Sequence, residues 1–204
     1  MGIRDRNIDW LRARRRIPWN EFNLDTAQAA AGDGGPVYGE LSSFHYGGIL
    51  VGAVNDEWST LDVVSPTLWD PAHAIGVRVL WATEATVATD DAIVWRVNYD
   101  QNDIGEALTD PVQGTGTALD TAITTQSPSV TTTLVTYRSP RGIINANTFD
   151  HTSRNGVIAW QVDVATLTNF SANEAVFLAL EIDYMPLVCE SQEESRDALT
   201  ADLS

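Results

Sequence analysis

Residues 92–99 read AIVWRVNY. Side chains of an extended chain alternate between two faces. Ile93, Trp95, Val97 and Tyr99 therefore share one face, and Arg96 and Asn98 share the other. That spacing predicts a strand with a heavy aromatic core side. The same period recurs in both directions. Residues 75–83, IGVRVLWAT, align Ile75, Val77, Val79 and Trp81. Residues 157–164, VIAWQVDV, align Ile158, Trp160, Val162 and Val164. Residues 175–184, AVFLALEIDY, align Val176, Leu178, Leu180, Ile182 and Tyr184. Residues 130–138, VTTTLVTYR, alternate threonine with apolar residues, and Thr131, Thr132, Thr133 and Thr136 suit an exposed sheet face. Weaker stretches at 48–54, 58–64, 119–125 and 143–149 raise the total to roughly eight to ten strands.

Turn-forming pairs sit between these stretches: Ser65-Pro66, Asp70-Pro71, Asp110-Pro111, Ser139-Pro140 and Asn155-Gly156. No strand–helix–strand rhythm appears, so the expected architecture is all-β, an antiparallel β-sandwich of jelly-roll type. Trp81, Trp95, Val97, Trp160, Leu178 and Leu180 are its expected core, and Trp58 and Trp69, beside turn signals, are expected at the surface.

Composition narrows the function. At 44% hydrophobic residues, the chain has enough apolar material for a packed core. The single cysteine, Cys189, leaves no intrachain disulfide. No run is long and apolar enough for a membrane helix, and the first residues lack a signal-peptide pattern. The net charge is −16, unevenly spread. Residues 1–20 hold six arginines against Asp5 and Asp9, a net of +4, and leave −20 for the rest. All 12 basic residues are arginine. Codon usage in a GC-rich genome and adaptation to high salt, which screens a dense carboxylate surface, both account for the missing lysines. A marine or halophilic host fits either.

The chain divides into a basic arm at 1–20, a linker at 21–36, the sandwich at 37–188 and an acidic tail at 189–204. The arm is expected to be extended or briefly helical over 3–16, ending at Pro18, and to become ordered on a partner. Its partner-binding residues are Arg4, Arg6, Ile8, Trp10, Leu11, Arg12, Arg14, Arg15, Arg16 and Trp19. Arginine pairs with carboxylates in two-pronged fashion, and the apolar residues are anchors, so an acidic protein surface is the expected partner. A −20 body is repelled by a phosphate polymer, so nucleic acid is not.

Catalytic patterns are missing. His45, His73 and His151 are isolated, and there is no zinc spacing, nucleophile elbow or phosphate loop. No enzyme activity and no cofactor are expected. Asp100, Asn102, Asp103 and Glu106 supply hard oxygen ligands that suit calcium, although a polar turn explains the same residues more simply.

A basic, aromatic arm, a Gly/Ala linker and a single sandwich with strands such as GVRVLWAT and DDAIVWRVNY together resemble the jelly-roll structural proteins of tailed viruses. The resemblance covers about residues 37–188 and is one of architecture. It implies a virion protein that decorates or cements the capsid, with the major capsid protein as partner, a homotrimeric assembly and arms that clamp capsid subunits. A turret, collar or fibre component touching the host is the alternative, followed by a carbohydrate-binding module.

Overall fold

The computed structural model describes residues 12–24, 36–41, 46–62, 69–70, 72–83, 92–102, 119–124, 135–146, 148–149, 157–170 and 174–186. Its strands are β1 (Ala13–Pro18), β2 (Asn23–Leu24), β3 (Val37–Leu41), β4 (Tyr46–Val51), β5 (Glu57–Asp62), β6 (Ile75–Thr83), β7 (Ala92–Asn102), β8 (Leu119–Thr124), β9 (Val135–Arg138), β10 (Gly142–Ile144), β11 (Val157–Thr168) and β12 (Ala175–Tyr184). Among the described residues, helical structure is confined to a 3-10 turn at Trp19–Glu21.

Every strand pairing among the described residues is antiparallel. One sheet runs β10-β6-β12-β4-β3, with β1 also on β12 and β9 also on β6; the other runs β2-β5-β11-β7-β8. β4 pairs with β12, β5 with β11, β6 with β10 and β7 with β8. This is one long hairpin, β4 to β7 going out and β8 to β12 returning, rolled so that successive rungs land in opposite sheets. That winding is a jelly roll. The expected all-β sandwich is therefore present, and all four weaker stretches contain strands.

The core lies between the sheets. Trp81, Trp95, Trp160 and Leu180 are wholly buried there, and Val97 nearly so. Trp95 touches Trp58 and Trp81 at centroid distances of 6.1 Å each, and Phe177 at 6.4 Å, so aromatic rings from both sheets meet around it. Edge and tilted contacts at this spacing are the favoured ring geometries.

Three expectations about the core need correction. Trp58 and Trp69 are each only 1% exposed. Trp58 faces inward from β5 against Phe177 at 5.1 Å, and Trp69 packs between Phe149 and Tyr184 at 5.4 Å from each. A turn signal nearby says nothing about which way a strand residue faces. Leu178 is only half-buried and lies outside the main core. A register shift between Phe177 and Ala179 changes the phase of β12. Ala175 and Phe177 face the core before the shift, Leu180 and Ile182 after it, and Val176 and Leu178 pack with Leu50 and Ala82 in a second cluster. An extra residue in one strand reverses every face beyond it.

The largest correction concerns the N-terminal segment. Residues 13–18 are a sandwich strand paired to β12 from Ala13↔Tyr184 to Pro18↔Ala179. The helix expected over 3–16 therefore does not include 13–16, and residues 1–11 lie outside the described residues. β4 covers only Ala175–Phe177 of that edge of β12, and β1 covers the remainder. The chain then turns at Trp19–Glu21 and joins the opposite sheet as β2, paired to β5. Ile17 and Phe22, each 1% exposed, plug the core on either side of this crossing. Residues 21–24 thus belong to the sandwich rather than to a linker, while 25–35 and the tail at 187–204 lie outside the described residues.

Candidate functional site

β12 is the most enclosed strand of its sheet, yet its outward positions after the register shift hold Glu181 and Asp183, exposed only 1% and 4%. Carboxylates at such depth require cations or hydrogen-bond donors. The flanking strands supply them by register. On one side, β1 sets Arg14 opposite Asp183 and Arg16 opposite Glu181. On the other, β6 sets Arg78 opposite Glu181 and Gly76 opposite Asp183. Opposite charges directly across a pair favour that register.

Asp183 is held by three guanidiniums. Arg12 Nε donates to Oδ1 at 2.6 Å, Arg141 Nη2 to Oδ1 at 2.6 Å and Nε to Oδ2 at 2.9 Å, and Arg78 Nη1 to Oδ2 at 3.2 Å. Burial pushes the Asp183 carboxyl upward, but hydrogen bonds and charge from Arg141 and Arg12 outweigh it, so its pKa falls below the ordinary aspartate value. Glu181 Oε2 accepts from Arg16 Nε and Arg138 Nη2, both at 3.1 Å. Glu181 Oε1 is buried without a hydrogen bond, with Arg14 and Arg78 at 3.9 and 4.0 Å. A Cβ at position 76 would collide with Arg141 Nε and Asp183 Oδ2, so glycine is what lets Arg141 lie across β6 onto the carboxylate.

Among the described residues, six arginines surround two carboxylates, a local net of +4 in a chain of −16. Each guanidinium carries five N–H donors, so donors far exceed the acceptors the two carboxylates offer. Arg12, Arg14, Arg78, Arg141 and Asp183 line a recess of about 170 Å³. Arg12 and Arg78 are largely buried, whereas the side chains of Arg14 and Arg16 are 57% exposed.

The outer face of the other sheet is polar in a different way. Asn98 Nδ2 donates to Gln161 Oε1 at 2.8 Å and to Asp163 Oδ2 at 3.0 Å, and Gln161 Nε2 donates to Glu57 Oε2 at 3.2 Å. Arg96 Nη1 stands 3.5 Å from Asp163 Oδ1.

The expected site residues divide accordingly. Arg12, Arg14 and Arg16 come together, but on carboxylates of their own chain. Arg15 pairs in register with the core-facing Ile182 and stands on the other side of β1. Trp19 packs on β4, where a Cβ at Gly47 would strike its ring, and lies 5.9 Å from Tyr38. Arg4, Arg6, Ile8, Trp10 and Leu11 lie outside the described residues, as do Asp103 and Glu106 of the suggested ion site. Asp100 and Asn102 are not in a loop; they extend β7, opposite Ala159 and Val157. Among the described residues, no three histidine, cysteine or acidic side chains are grouped to hold a metal ion. Arg78, Arg138, Arg141, Glu181 and Asp183 were not singled out from sequence. The signal for Arg78, Glu181 and Asp183 was charge inside two of the most apolar strands, VRV in β6 and LEIDY in β12; Arg138 and Arg141 carried none.

No protein-family model matches the chain, and no curated protein does. Among solved structures it is similar to a carbohydrate-binding module from Cellvibrio mixtus lichenase 5A, in complex with cellotriose. The TM-score is 0.36 and the identity 10%, over 83% of this chain and 95% of that one. At that level the likeness bears on neither ligand nor partner.

Proposed function

We propose that this chain is a non-enzymatic structural module that docks on an acidic protein surface through the arginine-lined face of its seven-stranded sheet. The observation carrying this reading is the surplus of cations there: six guanidiniums around two buried carboxylates, with Arg14 and Arg16 more than half exposed on a strongly acidic chain. Among the described residues, the two carboxylates position these side chains and are outnumbered by them. A pre-ordered guanidinium loses less side-chain entropy on binding than one on a mobile arm, which supports the sheet as the docking surface. Arginine in a fixed fork suits carboxylates better than a point charge does.

The setting we propose is a virion, with the chain as a capsid decoration protein on an acidic capsid surface and assembled as a homotrimer, in keeping with the jelly-roll winding and the resemblance to tailed-virus structural proteins. The test is co-purification. The chain should be recovered with purified particles at a fixed ratio to the major capsid protein. Arg14→Gln with Arg16→Gln should sharply reduce recovery while leaving the far-ultraviolet circular dichroism unchanged. Full occupancy by that variant would refute docking through this face. Sedimentation of the free protein measures the trimer.

A further inference from the structure

We infer that the recess in the arginine face is a subsite for one carboxylate side chain of the docked partner, taken by the guanidinium fork of Arg14. This rests on the docking reading above and names the group that the face recognises.

Strand register builds the recess. Arg14, Asp183 and Gly76 stand in one row across β1, β12 and β6. Gly76 leaves its place in the row empty of side chain, and Arg141 lies in the space that a Cβ there would take. Arg12, Arg14, Arg78 and Arg141 wall the recess around Asp183. Four guanidiniums against one carboxylate give that lining a net charge of +3.

The walls differ in what their donors already do. Each oxygen of Asp183 takes two hydrogen bonds, Oδ1 from Arg12 Nε and Arg141 Nη2, and Oδ2 from Arg141 Nε and Arg78 Nη1. Arg14 contributes to none of them. Its Nε stands 3.9 Å from Glu181 Oε1, beyond hydrogen-bond reach, and that oxygen accepts no hydrogen bond. Charge therefore holds Arg14 in place while its fork is not spent on Glu181. Arg16 is the natural control. It lies two residues along the same face of β1, and its side chain is as exposed as that of Arg14. Yet Arg16 Nε already donates to Glu181 Oε2 at 3.1 Å, and Arg16 does not line the recess.

A carboxylate entering the recess accepts two parallel hydrogen bonds from Arg14, the geometry that guanidinium and carboxylate favour. It does so beside three further guanidiniums that Asp183 has already fixed, so little ordering is left to be done on binding. These side chains are mostly buried, and salt screens them less than it screens the rim. Lysine supplies the charge of arginine without its fork. Recognition at position 14 thus depends on the shape of the guanidinium, and at position 16 on charge.

The experiment compares Arg14→Lys and Arg16→Lys in the full-length chain, with labelled poly-glutamate as probe and far-ultraviolet circular dichroism as the check on folding. Arg14→Lys should weaken binding by about tenfold or more, the loss expected for a charged hydrogen bond. Arg16→Lys should weaken it by less than about threefold, as for an exposed ion pair. Equal effects of the two lysine variants would overturn the subsite and leave the docking face intact, since charge alone would then be read. No binding by the natural chain, or undiminished binding by Arg14→Gln with Arg16→Gln, would remove the docking reading and the subsite with it. Millimolar inorganic phosphate, set against chloride at equal ionic strength, should leave the affinity for poly-glutamate unchanged. Displacement by phosphate would assign the recess to a free oxyanion and overturn the side-chain occupant.

Discussion

The outer faces of the two sheets bury carboxylates by different means. On the five-stranded sheet, Asp163 is fully buried among neutral amides, with Arg96 as its cation. There, the side chains of Asn98, Gln161, Asp163 and Glu57 link β7, β11 and β5. On the seven-stranded sheet, Glu181 and Asp183 are served by six arginines. Among the described residues the guanidiniums outnumber the two carboxylates, and the proposed docking draws on that difference.

The largest expected effects come from removing what both faces stand on. Trp95→Ala empties the aromatic centre between the sheets and should cost about 3–5 kcal/mol in a denaturant titration. An unchanged midpoint would mean that the sheets do not share this core. Ile17→Ala should cost about 2–4 kcal/mol, because β1 is a strand of the sandwich and Ile17 is fully buried. A loss near zero would return residues 13–18 to the status of a dispensable arm.

Charge neutralisation separates the two faces. Glu181→Gln should cost about 1.5–3 kcal/mol, since charged hydrogen bonds from Arg16 and Arg138 are lost and arginine repulsion rises. That cost should shrink with added salt, because most of those arginines reach solvent. The cost of Asp163→Asn should depend less on salt, since Asp163 is fully buried. Equal salt dependence in the two variants would dissolve the contrast.

Acid should act mainly on the arginine face. The pKa of Asp183 is lowered in the fold, so its stabilisation is present above the unfolded value near 4 and is lost as pH falls through the lower folded value. Asp56, in the turn joining β4 to β5, goes the other way. Its burial outweighs backbone hydrogen bonds from Ala53 and Gly52, so its pKa is raised, and its contribution is lost as pH rises through the folded value. Asp183→Asn should therefore flatten the loss of stability below about pH 4, and Asp56→Asn should not. The smallest effect is expected from Arg16→Ala, under about 1 kcal/mol in stability, because its guanidinium is 57% exposed.

The all-β class and most of the core were legible in the sequence; the strand count was not, since roughly eight to ten were expected and twelve are found among the described residues. Period-two runs such as AIVWRVNY require a two-faced strand, and no alternative placement buries Ile93, Trp95 and Val97 together. Charge asymmetry was legible too, since it is a property of composition. Tertiary structure alone decided the rest. ARRRIP carries no alternation of apolar residues, and its strand character comes from Glu181 and Asp183 on a partner 165 or more positions away. The facing of Leu178 depends on a register shift that no local pattern marks. Arg78, Arg138 and Arg141 join the N-terminal arginines only because β6, β9 and β10 lie across β12 from β1. Local periodicity tells a chain which of its residues share a face. Which faces meet, and which charges meet on them, depends on long-range pairing that only the folded sheet supplies.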